Sequence, residues 1–135
     1  MPQGTRSTSR RSKRVTESLR GRGAPVIHDR LAAAIAGCFA ENAQFRALIP
    51  SGLRERTGAG DAAALIYSWF KDSTVLDLIE TDAAGVGDRL VIRYRFEGVE
   101  EGAPYVVEQH LSCIVVDGKI QRADLLCSGF RPRTV

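Results

Sequence analysis

Two titratable side chains stand two residues apart inside the apolar run "VVEQHLSCIVV" (106–116): Glu108 and His110, with Gln109 between them. A polar group buried without a partner costs about 1–3 kcal/mol, so this strand is either wet on one face or lines a pocket. Side chains two apart on a strand share a face, and a carboxylate beside an imidazole favours its protonated form. Glu108 and His110 could therefore act as an acid/base dyad, with His110 moving a proton at a carbonyl and Glu108 orienting it. The plainer alternative is a histidine that braces the sheet through Tyr94 or a backbone carbonyl. Cys127 has no activating neighbour in this reading and is a structural thiol. The two histidines, His28 and His110, lack metal-ligand spacing, and His28 reads as a solvated helix-start residue. Neither a metal nor a cofactor is expected.

The hairpin around Asp117-Gly118 must position the dyad, because this dipeptide favours a two-residue type I′ turn. A regular ladder from that turn pairs Val116 with Lys119, Ser112 with Ala123, His110 with Leu125 and Glu108 with Cys127. Glu108, His110, Ser112, Ile114, Ala123, Leu125 and Cys127 then share one face. Val107, Gln109, Leu111, Cys113, Val115, Ile120, Arg122, Asp124 and Leu126 share the other. A bulge in either strand flips one side. On the regular register Glu108 and His110 look into a pocket lined by Trp69, Ile92, Tyr94, Leu125 and Cys127, and Gln109 looks out. The outward set Leu111, Cys113, Val115, Ile120 and Leu126 is a large apolar patch, which predicts a homodimer through that face.

The elements behind this hairpin follow from periodicity. Ile27, Leu31, Ala34, Ile35, Cys38 and Phe39 recur at helical spacing. "ENAQFRALIP" reads as a short extended segment stopped by Pro50 and Gly52. "TGAGDAAALIYSWFKDS" is a second helix with Asp61 as N-cap and Ala62, Leu65, Ile66 and Trp69 on one face. Four strands finish the chain: "TVLDLIET", the turn "DAAGVGD", "RLVIRYRFEG", "PYVVEQHLSCIVV" and "KIQRADLLCSG". In the second strand Leu90, Ile92, Tyr94 and Phe96 alternate with Val91, Arg93 and Arg95. Helices followed by an antiparallel meander give an α+β order.

At 135 residues, with 44% hydrophobic and 26% charged, the chain supports one domain with a real core. Residues 1–24 are expected to be a disordered basic tail, and 25–135 the domain. The net charge of +3 is an average over those two parts. Arg6, Arg10, Arg11, Lys13, Arg14, Arg20 and Arg22 oppose only Glu17 in the tail, and the body behind it is mildly acidic. No aromatic residue is interleaved with "RRSKR" for base stacking, so nucleic acid is not the expected partner. Three cysteines at long spacings form no disulfide framework, which suits a cytoplasmic protein. The apolar run "LAAAIAGCFA" is too short to span a membrane, and the basic start, with no apolar stretch behind it, does not resemble a secretory signal.

Taken in order, "CFAENAQFRALIP", "YSWF" and "EQHLSCIVVDGKIQRADLLCSGFRP" resemble the nuclear transport factor 2-like superfamily, most closely its SnoaL-like group, over about residues 26–133. The resemblance implies a cystatin-like cone, in which a strongly bent antiparallel sheet wraps around N-terminal helices and leaves an apolar cavity. Relatives include ketosteroid isomerase, polyketide cyclases, epoxide hydrolases, scytalone dehydratase and non-enzymatic binding modules, so the fold alone does not fix an activity. The isomerase general base would fall near Ala47, its oxyanion-hole aspartate at His110, and the cyclase carboxylate at Ser128. None of the three positions holds a carboxylate here. The expectation is therefore a domain that binds a small apolar molecule. The alternative is an isomerase, cyclase or dehydratase acting on a carbonyl-bearing substrate through His110.

Overall fold

The computed structural model describes residues 32–134. The expected tail, His28 and the first turns of the expected N-terminal helix lie outside the described residues. The described chain runs α1 (32–38), β1 (Phe39–Ile49), β2 (Gly52–Thr57), α2 (Ala59–Phe70), β3 (Ser73–Val86), β4 (Arg89–Glu100), β5 (Ala103–Val116), β6 (Lys119–Cys127) and β7 (Arg131–Pro132). The strands form one bent, unclosed sheet in the order β2-β1-β6-β5-β4-β3, with β7 added to β5. This is the expected α+β arrangement with one amendment: β1 lies parallel to β6, whereas the other pairs are antiparallel.

Several expected boundaries move. Phe39 opens β1 instead of closing the helix, because its ring packs edge-on against Phe45 at 5.7 Å in the core. Ala34 and Cys38 of the expected helical stripe are exposed. The extended segment is a full strand of 11 residues, and β2 returns along it after the turn at Pro50–Ser51. The strand ending "IET" continues through "DAAGV" to Val86, so only Gly87 and Asp88 make the turn into β4. The N-cap of α2 is Gly58, in a left-handed conformation with φ 98°, and Asp61 sits in the first turn, where its charge suits the helix dipole.

The decisive difference is in the last hairpin. Asp117 and Gly118 both have positive φ, 52° and 77°, as a type I′ turn requires, and Val116 pairs with Lys119 and Val115 with Ile120. The ladder then slips. Ile114 pairs with Arg122, leaving Gln121 as the extra residue of a β-bulge, its side chain donating to Asn42 Oδ1 at 2.8 Å. Beyond the bulge Cys113 opposes Ala123, Leu111 opposes Leu125 and Gln109 opposes Cys127. The predicted face assignment of β6 relative to β5 is therefore reversed.

Hydrophobic sorting explains the slip. A regular ladder would set Arg122 and Asp124 beside Leu111 and Cys113, and Glu108 and His110 beside Leu125 and Cys127. Both faces would then mix charge with apolar surface. One extra residue gathers Leu111, Cys113, Ala123, Leu125 and Cys127 on the inner face and sends every charged residue out. These five join Phe39, Ala43, Phe45 and Ala47 of β1 and Ala62 and Phe70 of α2 in one buried core.

Candidate ligand-binding site

Glu108 and His110 do form a pair, with His110 Nε2 2.9 Å from Glu108 Oε2. It stands on the outer face of the sheet, away from the core. Antiparallel pairing sets Arg95 opposite Glu108 and Arg93 opposite His110. Arg95 donates to Glu108 Oε1 through Nε at 3.1 Å and Nη2 at 2.9 Å, Arg93 approaches the same oxygen at 3.5 Å, and Glu80 of β3 pairs with Arg93. The hydrogen bond from His110, then that from Arg95, hold the Glu108 carboxyl below the usual carboxylate range. With the His110 side chain 50% exposed, this is a solvated ion-pair network, and such pairs are individually worth little.

A second ion-pair cluster shares that face. Asp124 accepts from Arg46 at 3.0 Å and from Arg89 at 3.2 Å. Asp124 thus lies on the same face as His110, contrary to the sequence expectation, because the bulge reverses β6. Arg46, which in isolation could have clamped an anion, is already engaged.

The inner face carries different chemistry. Leu90, Ile92, Tyr94 and Phe96 of β4 pair with Cys113, Leu111, Gln109 and Val107 of β5, so all eight look inward. Leu125 and Cys127 continue this surface on β6, and Trp69, half-buried on α2, packs against the same core. Tyr94, Ile92, Leu125, Cys127 and Trp69 therefore belong to one apolar interior, whereas Glu108 and His110 do not reach it. The polar member that does is Gln109, 0% exposed, which the regular register had turned outward. Its Oε1 accepts the Tyr94 hydroxyl at 2.6 Å, and its Nε2 donates to Cys127 Sγ at 3.4 Å. The same sulfur accepts the Gly129 N–H at 3.4 Å. Desolvation, with a smaller contribution from Cys127, pushes the Tyr94 phenol well above its ordinary range. Burial likewise raises the Cys113 thiol. Among the described residues no three His, Cys, Asp or Glu side chains converge to hold a metal ion.

The sequence contained a signal for this arrangement. Ile120, Ala123, Leu125 and Cys127 are spaced three, two and two, and the odd first step marks the bulge.

With the bent sheet, the helix packed on β1 and β2 and the inner polar cluster in view, solved structures give the comparison. A protein of Catenulispora acidiphila with a ketosteroid isomerase-like fold, in complex with trimethylamine, superposes with a TM-score of 0.58 over 70% of this chain and 73% of its own, at 18% identity. A candidate SnoaL-like polyketide cyclase from Jannaschia sp. CCS1 gives 0.59 over 72% of both chains at 13% identity. The fold is that of the nuclear transport factor 2-like superfamily. A candidate isomerase of Bacillus subtilis shows the same fold, with a TM-score of 0.62 over 87% of this chain and 88% of its own at 14% identity. No protein-family model and no curated protein matches the sequence.

Within the nuclear transport factor 2-like fold, the positions marked by the resemblance can be located. Ala47 is fully buried on the inner face of β1, opposite Leu125. On β5, His110, which the resemblance aligns with the isomerase's aspartate, points out and its neighbour Gln109 points in. Ser128 exchanges hydrogen bonds with the Glu108 backbone: its Oγ accepts the Glu108 N–H at 3.0 Å, and its own N–H donates to the Glu108 carbonyl at 2.9 Å. No helix among the described residues is long and apolar enough to cross a membrane.

Proposed function

We propose that this chain is a small-molecule-binding domain whose ligand lies against the inner face of the bent sheet. The observation that carries the reading is the composition of that face. From Leu90 to Phe96 of β4, and along the stretches of β5 and β6 that continue the sheet beside it, it is apolar and uncharged, and the polar cluster there, Tyr94–Gln109–Cys127, is internally hydrogen-bonded. Leu90, Ile92, Tyr94 and Phe96 are only half-buried there, which leaves apolar surface for a guest. Ligand sites of this type are largely apolar with a few fixed polar groups. The alternative of proton transfer through His110 finds less support, because that imidazole lies outside the interior, bonded to Glu108.

N-phenyl-1-naphthylamine, a neutral apolar fluorophore, is the suitable probe. One equivalent should bind with enhanced emission, and Ile92→Phe, which adds bulk to the inner face, should weaken binding by about tenfold or more while the fold melts cooperatively. Absence of binding, or binding untouched by Ile92→Phe, would refute the reading.

We also propose that the partner at the outer face is a second copy of the chain. The patch expected from sequence is corrected here: Leu111 and Cys113 are core residues. A different patch takes its place. Leu53, Leu48 and Leu126 line up across β2, β1 and β6, each about half exposed at 53%, 51% and 54%. They border a groove of about 430 Å³ that also touches Val91, His110 and Arg46. The face carries both signs of charge, with Arg93, Arg95, Glu80 and Glu108 towards β3 and Arg46, Arg89 and Asp124 towards β1. It can thus complement itself across a two-fold axis. Leu126→Glu should convert a sedimenting dimer to monomer. A wild-type chain that sediments as a monomer would rule the dimer out.

A further inference from the structure

The three inner polar groups form a chain with a direction. The separation of 2.6 Å between Tyr94 and Gln109 Oε1 suits an O–H donor and is short for an N–H donor, which fixes the amide with its oxygen towards the phenol. Gln109 Nε2 then faces Cys127 Sγ, which accepts from it and from the Gly129 N–H. The Tyr94 proton is therefore committed to Gln109.

Accessibility divides the cluster. Gln109 has no exposed surface and Cys127 is buried, whereas Tyr94 remains partly exposed on the inner face. Of the three side chains, Tyr94 is therefore the one that a guest on the inner face can touch. What the phenol offers is an oxygen lone pair with its hydrogen already spent. The inner-face neighbours of Tyr94 along and across the strands, Ile92, Phe96, Gln109 and Thr81, carry no charge to favour an ion; the acid that shares this face, Glu100, lies at the far end of β4 beyond Gly98, and the raised phenol keeps Tyr94 itself neutral.

We infer that the interior selects a neutral ligand carrying a hydrogen-bond donor, a hydroxyl or N–H, which Tyr94 accepts, and that Gln109 is the positioning residue that makes Tyr94 an acceptor. This rests on the binding-domain reading above and adds the polarity of the recognised group. An ether or ketone of the same shape finds no donor in the cluster. Carbonyl activation, which needs a proton directed at the substrate oxygen, would first require Tyr94 to break from Gln109. Thr81 of β3, directly opposite Tyr94, is the nearest other hydroxyl in the register.

The test compares 4-tert-butylphenol with 4-tert-butylanisole, which differ in whether the oxygen carries a proton, by titration calorimetry. One net hydrogen bond amounts to about tenfold in affinity, so wild type should bind the phenol about tenfold tighter. Tyr94→Phe should abolish the preference. Gln109→Met, which keeps the volume and frees the Tyr94 proton, should narrow it by strengthening anisole binding. If Gln109→Met does not fold, Tyr94→Phe alone decides. Thr81→Val should leave the preference intact. Equal binding of the two probes to wild type overturns donor selection and leaves the binding domain standing, as does a preference that survives Tyr94→Phe or disappears in Thr81→Val. Binding of neither probe overturns both.

Discussion

Phe45→Ala is expected to lower stability by about 3–5 kcal/mol, the usual cost of removing a buried phenyl ring. Phe45 is 2% exposed, looks inward from the middle of β1, and meets Phe39 edge-on at 5.7 Å. Its strand neighbours on the inner face, Ala43 and Ala47, are fully buried and too small to close the hole. Domains of this size hold about 5–15 kcal/mol in total, so the variant sits near the threshold of folding. The melting midpoint followed by circular dichroism should fall by about 12 °C or more. Because the vacated space is apolar, toluene should restore part of the loss in the variant and little in wild type. Phe130→Ala is the internal comparison: that ring packs on Phe70 and Tyr105 but is 37% exposed, so its loss should cost less. A Phe45→Ala midpoint within a few degrees of wild type would show that β1 does not carry the core.

The alternation of β4 was legible in the sequence because Leu90, Ile92, Tyr94 and Phe96 are interrupted only by Val91 and two arginines. The turn at Asp117-Gly118 was legible because few dipeptides accept two positive φ values in succession. The pairing beyond that turn was harder to read, since nothing in Gln121 itself announces a bulge and the signal is only the three-residue step from Ile120 to Ala123. Only the comparison of two whole strands shows that a regular ladder strands charges beside Leu111 and Cys113. That one residue carried the site with it: the Glu108–His110 dyad was one of two readings and was set on the inner face, whereas Gln109 was turned outward by the same regular register. β2 was hidden for a different reason. "GLRERT" has no apolar face, because as an edge strand it pairs on one side only and stays largely exposed.

Gly98→Ala tests the close packing of β3, β4 and β5 at the inner face. Gly98 pairs with Leu76 of β3 on one side and Tyr105 of β5 on the other, and it is buried. The Tyr105 ring lies over it, and the Tyr105 hydroxyl is 2.7 Å from Ser73 Oγ. A Cβ at Gly98 would stand 2.5 Å from Tyr105 Cζ and 2.5 Å from the Val75 carbonyl oxygen, closer than such atoms come in folded proteins. Neither neighbour can simply rotate away. The ring is wedged against Phe130, and the carbonyl belongs to a strand whose pairing with β4 is already irregular between Ser73 and Val75. Forcing a methyl group into so close a contact costs about 1–3 kcal/mol, here towards the upper end because backbone must shift. The melting midpoint should fall by about 8 °C or more, read by circular dichroism. Tyr105→Phe removes only the hydroxyl and leaves both the ring carbon and the Val75 carbonyl in place. The double variant Gly98→Ala/Tyr105→Phe should therefore stay well below Tyr105→Phe alone. Full recovery in the double variant would mean that the hydroxyl was the whole obstacle and that the β3–β4 backbone can yield.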